Sequence, residues 1–201
     1  MSALSRRSFL RSSVLAGAAA LAACTVTTTN GVTTVTLDVA KVKNYGQAGL
    51  NAAATVTSFL SAIPALAPYA LAITAAETAL SGALSAFSTA AGSTLTISYN
   101  DASWKTRVDS ILSDLDTLAA AIESAVAGSG SALSSSVLSN ARTAYNALAT
   151  LISVFKALLG VADAKAPMGT RTHLTRDMVL VGAPVPATGM TEAQALKALG
   201  V

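Results

Sequence analysis

Ser153 and Lys156 stand three apart in Ser153-Val154-Phe155-Lys156 and match S-x-x-K, a spacing that lets a lysine amine draw a proton from a serine nucleophile. The S-D-N and K-T-G elements that accompany it in serine acyl-transfer enzymes are absent, and both residues fall within a helical stripe. The match therefore reads as part of a helix and not as a nucleophile with its base. His173 and Asp177, four apart, could reach one cation. His173 is the only histidine and Cys24 the only cysteine, so the nitrogen and sulfur donors of a tetrahedral site are missing. Asp109, Asp114, Asp116 and Glu123 place four carboxylates on one segment. Asp109, Asp116 and Glu123 share a heptad position, as a solvated face does, and the pattern predicts no raised pKa among the four. There is no phosphate-binding glycine loop, dinucleotide fingerprint or haem attachment sequence. The expectation is a non-enzyme with no cofactor and no metal.

Bulk composition narrows the field further. Charged residues are 11% and aromatics 4% of 201 residues, against roughly 25% charged in ordinary domains. Low charge argues against a disordered polyelectrolyte, and small side chains argue for closely packed helices rather than an aromatic binding cleft. The net charge of +3 is misleading. Three of the 13 basic residues are Arg6, Arg7 and Arg11, and from Cys24 onward the remaining ten face ten acidic residues. A nucleic-acid partner is not expected from a neutral chain.

The positive charge belongs to an ordered N-terminal pattern. Ser5-Arg6-Arg7-Ser8-Phe9-Leu10 precedes an Ala-rich apolar run, Val14 to Ala23, which ends Leu21-Ala22-Ala23-Cys24. Charge, then ten apolar residues, then small residues is the order of an export signal, and the run is too short for a bilayer, which needs ~20 residues. Arg6, Arg7, Phe9 and Leu10 resemble the S-R-R-x-F-L motif of bacterial twin-arginine signals. Leu21, Ala22, Ala23 and Cys24 resemble the lipobox of bacterial lipoproteins. The resemblance implies a signal peptide over 1–23, a diacylated Cys24 as mature residue one, and a periplasmic or outer-membrane location for a lipid-anchored protein. Thr25 in place of an Asp agrees with the outer membrane in proteobacterial usage. The plainer alternatives are a Sec signal with a basic start and an Ala-x-Ala cleavage at Ala20-Leu21-Ala22, with Cys24 incidental.

Beyond Cys24 the pattern predicts a mainly α fold: an antiparallel bundle of about four helices with a small β-hairpin or sheet near the N-terminus. Residues 24–40 are the anchor followed by a tether or hairpin; Thr and Val alternate around Asn30-Gly31, a strong hairpin signal. A polar spacer is the alternative, since an isolated hairpin is marginal in water. Thr94 to Tyr99 alternates well enough for a third strand. Residues 41–160 form the bundle. Val42, Gly49, Val56 and Ile63 recur at seven, as do Leu66, Ile73, Leu80 and Phe87, with Pro64 and Pro68 between helices and Gly92 at a helix end. Trp104, Val108, Ile111, Leu112, Leu115, Leu118, Ile122 and Val126 form a third stripe, capped by Asp101 or Ser103. Gly128 to Ser131 is a loop. A fourth helix over Ala132–Leu159, about 42 Å long at 1.5 Å per residue, carries Leu138, Ala141, Tyr145, Leu148, Ile152, Phe155 and Leu159. Residues 161–201 are an irregular strap or partner-binding segment, with a short strand at Met178–Val181 and a terminal helix capped by Thr191.

Asn44 to Ala76 carries no charge, and Phe59–Ala76 is apolar enough to weigh as a membrane segment against a buried helix pair. The leading expectation is an exported envelope lipoprotein, non-enzymatic, a structural or interaction module bound to the membrane through Cys24 and to a protein partner in the envelope. One alternative is an accessory subunit of a twin-arginine-exported oxidoreductase, and another is a pore-forming or membrane-perturbing protein. Nothing in the sequence fixes an oligomeric state.

Overall fold

The computed structural model describes residues 24–29, 32–129, 132–163 and 190–201. Strand β1, Cys24–Thr29, pairs antiparallel with β2, Val32–Asp38, in a register running from Cys24 opposite Leu37 to Thr29 opposite Val32. The segment is thus a hairpin and not a spacer; the Asn30-Gly31 turn lies outside the described residues. Strand β3, Thr96–Ser98, adds to the other edge of β2 with Ile97 opposite Leu37, giving the order β1-β2-β3. The third strand is shorter than the Thr94–Tyr99 alternation predicts, because the backbone bends at Leu95, although its carbonyl still accepts from Val39 N at 2.9 Å in the same register. Burial of Val35, Leu37 and Ile97 against helices supplies what an isolated hairpin lacks.

Four long helices follow. Helix α1, Val39–Leu60, begins where β2 ends: the Asp38 carboxylate accepts from Ala40 N at 2.7 Å and Lys41 N at 3.3 Å, satisfying two N–H groups that a helix start leaves open. A 3₁₀ turn over Pro64–Leu66 leads into α2, Ala67–Ala91. Pro64 and Pro68 both occupy first-turn positions, where no N–H is required. Gly92 closes α2 with φ of 52°, a conformation that disfavours other residues. Helix α3, Ala102–Gly128, is capped by Asp101, which accepts from Ser103 N at 2.9 Å and Trp104 N at 3.3 Å.

Helix α4, Ser135–Asp163, departs from the predicted 132–159 at both ends. It starts later because the Ser134 hydroxyl accepts from Val137 N at 3.4 Å as a cap. It runs past Gly160 because that glycine is exposed with open space around it, and a cost of about 1 kcal/mol does not stop a docked helix. Gly128 likewise belongs to α3. The bundle therefore spans 39–163 and not 41–160. Helix α5, Glu192–Ala198, is held by the expected Thr191, in a reciprocal capping box with Gln194. The rest of the C-terminal segment, with the Met178–Val181 strand, lies outside the described residues.

Contacts along the helices fix their directions. A Cβ on Gly46 would meet Leu84, and one on Gly49 would meet Leu80, so α1 and α2 run antiparallel. Phe87 packs on Trp104 with centroids 5.8 Å apart, while Tyr69 reaches Gly128 at the far end; α2 and α3 oppose. Asp116 pairs with Lys156, and Glu123 with Tyr145, so α3 and α4 oppose. Tyr45 stacks on Phe155 at 5.1 Å, placing α4 back beside α1. This is an up-down-up-down bundle. Leu66, Ile73, Leu80 and Phe87 are all buried, as are Ala141, Leu148 and Phe155. Helix α5 lies on α1 and α4, with Ala195 and Leu199 buried and Asn51 Nδ2 donating to Leu199 O at 2.7 Å.

Candidate functional site

One pole of the bundle collects the start of β1, the end of β2, the start of α1, the end of α2 and the start of β3. Cys24 is the first residue of β1 and sits in register with Leu37. Beside it, Gly92-Ser93-Thr94-Leu95-Thr96 is exposed throughout and uncharged. Leu95, Ile97 and Tyr99 are two apart, so a continuous strand would turn all three inward. Ile97 and Tyr99 are buried, yet Leu95, at the bend just before β3, is 81% exposed. An open depression of about 540 Å³ lies here, lined by Asp38, Lys43, Gly92 and Leu95 among others. Leu95 and Lys43 did not stand out in the sequence; their place follows from where β3 stops.

Arg6, Arg7, Phe9, Leu10, Leu21, Ala22 and Ala23 lie outside the described residues, as do His173 and Asp177. Among the described residues no group of three or more His, Cys, Asp or Glu side chains could hold a metal ion. Ser153 and Lys156 do not meet: the Ser153 hydroxyl donates to Ala149 O at 2.9 Å and Lys156 Nζ to Asp116 Oδ1 at 2.8 Å.

The acidic residues of α3 keep the exposure the spacing predicts, with the Asp109 and Asp116 side chains 43% exposed and Glu123 exposed, but each of the three also has a partner. Asp109, Asp116 and Glu123 follow the buried Val108, Leu115 and Ile122 by one residue, which sets them at the flank of the core stripe. Tyr99 donates to Asp109 Oδ1 at 2.6 Å, and Lys105 Nζ donates to Tyr99 Oη at 2.8 Å and to Asp109 Oδ2 at 3.0 Å. Burial pushes the Tyr99 phenol up, and the hydrogen bonds to Tyr99 and then Asp109 hold the Lys105 ammonium well above its ordinary range. A phenolate base needs a lowered pKa, and so does a nucleophilic amine. Both shifts go the other way, so this cluster is a clamp between β3 and α3. Tyr145 is likewise raised, by burial and then by its hydrogen bond to Glu123.

Asp114 corrects the sequence reading, since burial raises its pKa. A carboxyl raised in the folded state binds more protons folded than unfolded as pH falls, so its ionisation costs stability as pH rises above the ordinary value near 3.8. Asp114→Asn is therefore expected to raise the melting temperature at pH 7, with the gain shrinking as pH falls toward 3.8. A gain independent of pH, read by calorimetry from pH 3 to 8, would refute the assignment.

The uncharged stretch is also reshaped. Phe59–Ala76 is not one helix, since Pro64 breaks it; the apolar helical segment is Pro64–Ala91, with mean hydropathy 1.4 over its best window and 22% of that window buried. Ser135–Gly160 is a second helix long and apolar enough to span a membrane, half buried in the bundle. The outward face of α2 is mostly Ala, Ser and Thr, with Leu71 its one large exposed apolar side chain at 71%.

No family model matches this chain, and neither a curated protein nor a solved structure shows significant similarity to it.

Proposed function

We propose that the chain is an exported bacterial envelope lipoprotein, anchored through Cys24, whose helical bundle is a non-enzymatic structural or interaction module. The observation that carries this is the N-terminal order Arg6-Arg7-x-Phe9-Leu10, apolar run, Leu21-Ala22-Ala23-Cys24. One feature of the folded part supports it. The Tyr99, Lys105 and Asp109 cluster is paired within itself, and its shifts lead away from acid–base work.

Two or three acyl chains give stable attachment where one gives only marginal binding. Cys24→Ser is expected to move the protein from the membrane pellet to the soluble fraction or to leave the precursor uncut. Paired Arg6→Lys and Arg7→Lys substitutions are expected to stop export, with full-length precursor accumulating inside the cell. Fractionation with mass spectrometry of the mature N-terminus reads both; an unmodified Cys24 in wild-type protein would sink the anchor. Co-purification from gently solubilised envelopes tests the module: a stoichiometric redox enzyme would make this an accessory subunit.

A membrane-perturbing role draws support from the apolar, largely exposed Pro64–Ala91 segment. Alanine and threonine methyls gain little from lipid, at roughly 25 cal/mol per Å², so the anchored module is preferred. Dye release from vesicles by the purified protein would reverse that preference.

A further inference from the structure

Resting on the anchored reading, we infer that the pole formed by Cys24, Leu95 and Lys43 lies flush on the phospholipid surface, with Leu95 set into it. Three observations lead there. First, Cys24 is itself paired in the sheet, opposite Leu37. A lipid on that residue leaves no linker, so the bundle cannot stand away from the bilayer. Second, the loop that shares this pole is built for contact with lipid. Cys24, Leu37 and Ile97 are successive across the sheet, and with strands ~4.8 Å apart Cys24 and Ile97 are roughly 10 Å apart. Leu95 is two residues beyond Ile97 and 81% exposed, in a loop, Gly92–Thr96, without a charge to desolvate. An exposed leucine is unfavourable in water and favourable among acyl chains. Third, Lys43 lines the depression beside it, and an ammonium there meets headgroup phosphates. The Asp38 carboxylate in the same depression accepts from the first N–H groups of α1, whose partial positive charge offsets part of its own.

The occupant is thus a leaflet of zwitterionic and anionic phospholipid, contacted edge-on by the end of the bundle. The long axis of the helices then stands off the membrane, and the opposite pole, with Leu71, points away from it.

The test uses full-length lipidated protein in vesicles of phosphatidylethanolamine and phosphatidylglycerol with brominated acyl chains, which quench indole fluorescence on contact. Leu95→Trp and Leu71→Trp both place an indole at an exposed site and leave the core intact; wild-type protein, with Trp104, gives the background. The indole introduced at position 95 is expected to lose most of its emission and the one at position 71 almost none. Lys43→Glu should weaken the quenching at position 95. Equal quenching at both positions, or none at 95 while Cys24 carries its acyl mass, would overturn the flush geometry and leave the anchor standing. Absence of both acyl mass and quenching would remove the two together.

Discussion

Gly49→Leu is expected to open the bundle. Gly49 is buried in α1 against both α2 and α3, and a Cβ there would stand 2.5 Å from Leu115 Cδ2 and 2.8 Å from Leu80 Cδ2. These leucines are themselves fully buried, so neither can swing into solvent. A graded series separates the opposing effects. Gly49→Ala gains about 1 kcal/mol of helix propensity against about 1–3 kcal/mol of overpacking, for a net result between no change and a loss of about 2 kcal/mol. Leucine adds three more carbons in the same gap, and the expected loss exceeds about 3 kcal/mol, a large share of the ~5–15 kcal/mol that holds a domain together. Gly82 is the control, since it lies in α2 with nothing within 4 Å; Gly82→Leu should stabilise by a few tenths to about 1 kcal/mol. Urea midpoints measure the set. If the two leucine variants unfold at the same urea concentration, the close crossing at Gly49 is wrong.

That crossing shows where sequence pattern informs and where it stops. Val42, Gly49 and Val56 recur at seven and do lie on the buried face of α1, but periodicity marks Gly49 only as core. That a side chain there would strike α2 and α3 depends on Leu80 and Leu115, far along the chain. The stripe Leu66, Ile73, Leu80 and Phe87 was fully legible, and so were Asp101, Gly92 and Thr191 as helix ends, because those signals are local: a side chain meeting an N–H two or three residues on, or a backbone turn needing positive φ. The start of α4 was missed by three residues because Ser134 and its serine neighbours are equivalent as caps on paper. The acidic side chains of α3 are solvated as the spacing predicts, but their partners, Tyr99, Lys156 and Tyr145, are supplied by the tertiary fold and could not be read from that spacing. Leu95 was hidden for a related reason: alternation turns it inward, and only the folded chain shows the bend that leaves it in solvent.

The terminal helix gives the second large effect. Phe155→Ala is expected to cost about 3–5 kcal/mol, the usual range for emptying a buried aromatic site, and to loosen α5 beyond that average. The Phe155 ring is 1% exposed and lies 5.1 Å from the Tyr45 ring at 54°, a tilted aromatic pair. Tyr45 in turn donates to Glu192 Oε1 at 2.9 Å, which also takes Lys41 Nζ at 3.1 Å. The first turn of α5 is thus held by a hydroxyl whose ring position Phe155 fixes. With the ring gone Tyr45 can tip into the cavity, and Glu192 loses the Tyr45 hydroxyl and keeps the partly buried Lys41 as its side-chain partner. Hydrogen exchange resolves this: amides of 195–199 should lose protection in Phe155→Ala by more than those of α2. Tyr45→Phe keeps the ring contact and removes the hydroxyl, so it should speed exchange in α5 at a cost of only about 0.5–1.5 kcal/mol. Should Phe155→Ala destabilise the bundle while α5 stays as protected as the other helices, the chain from Phe155 through Tyr45 to Glu192 does not hold the terminal helix. Its docking would then rest on Ala195, Leu199 and the Asn51 contact alone.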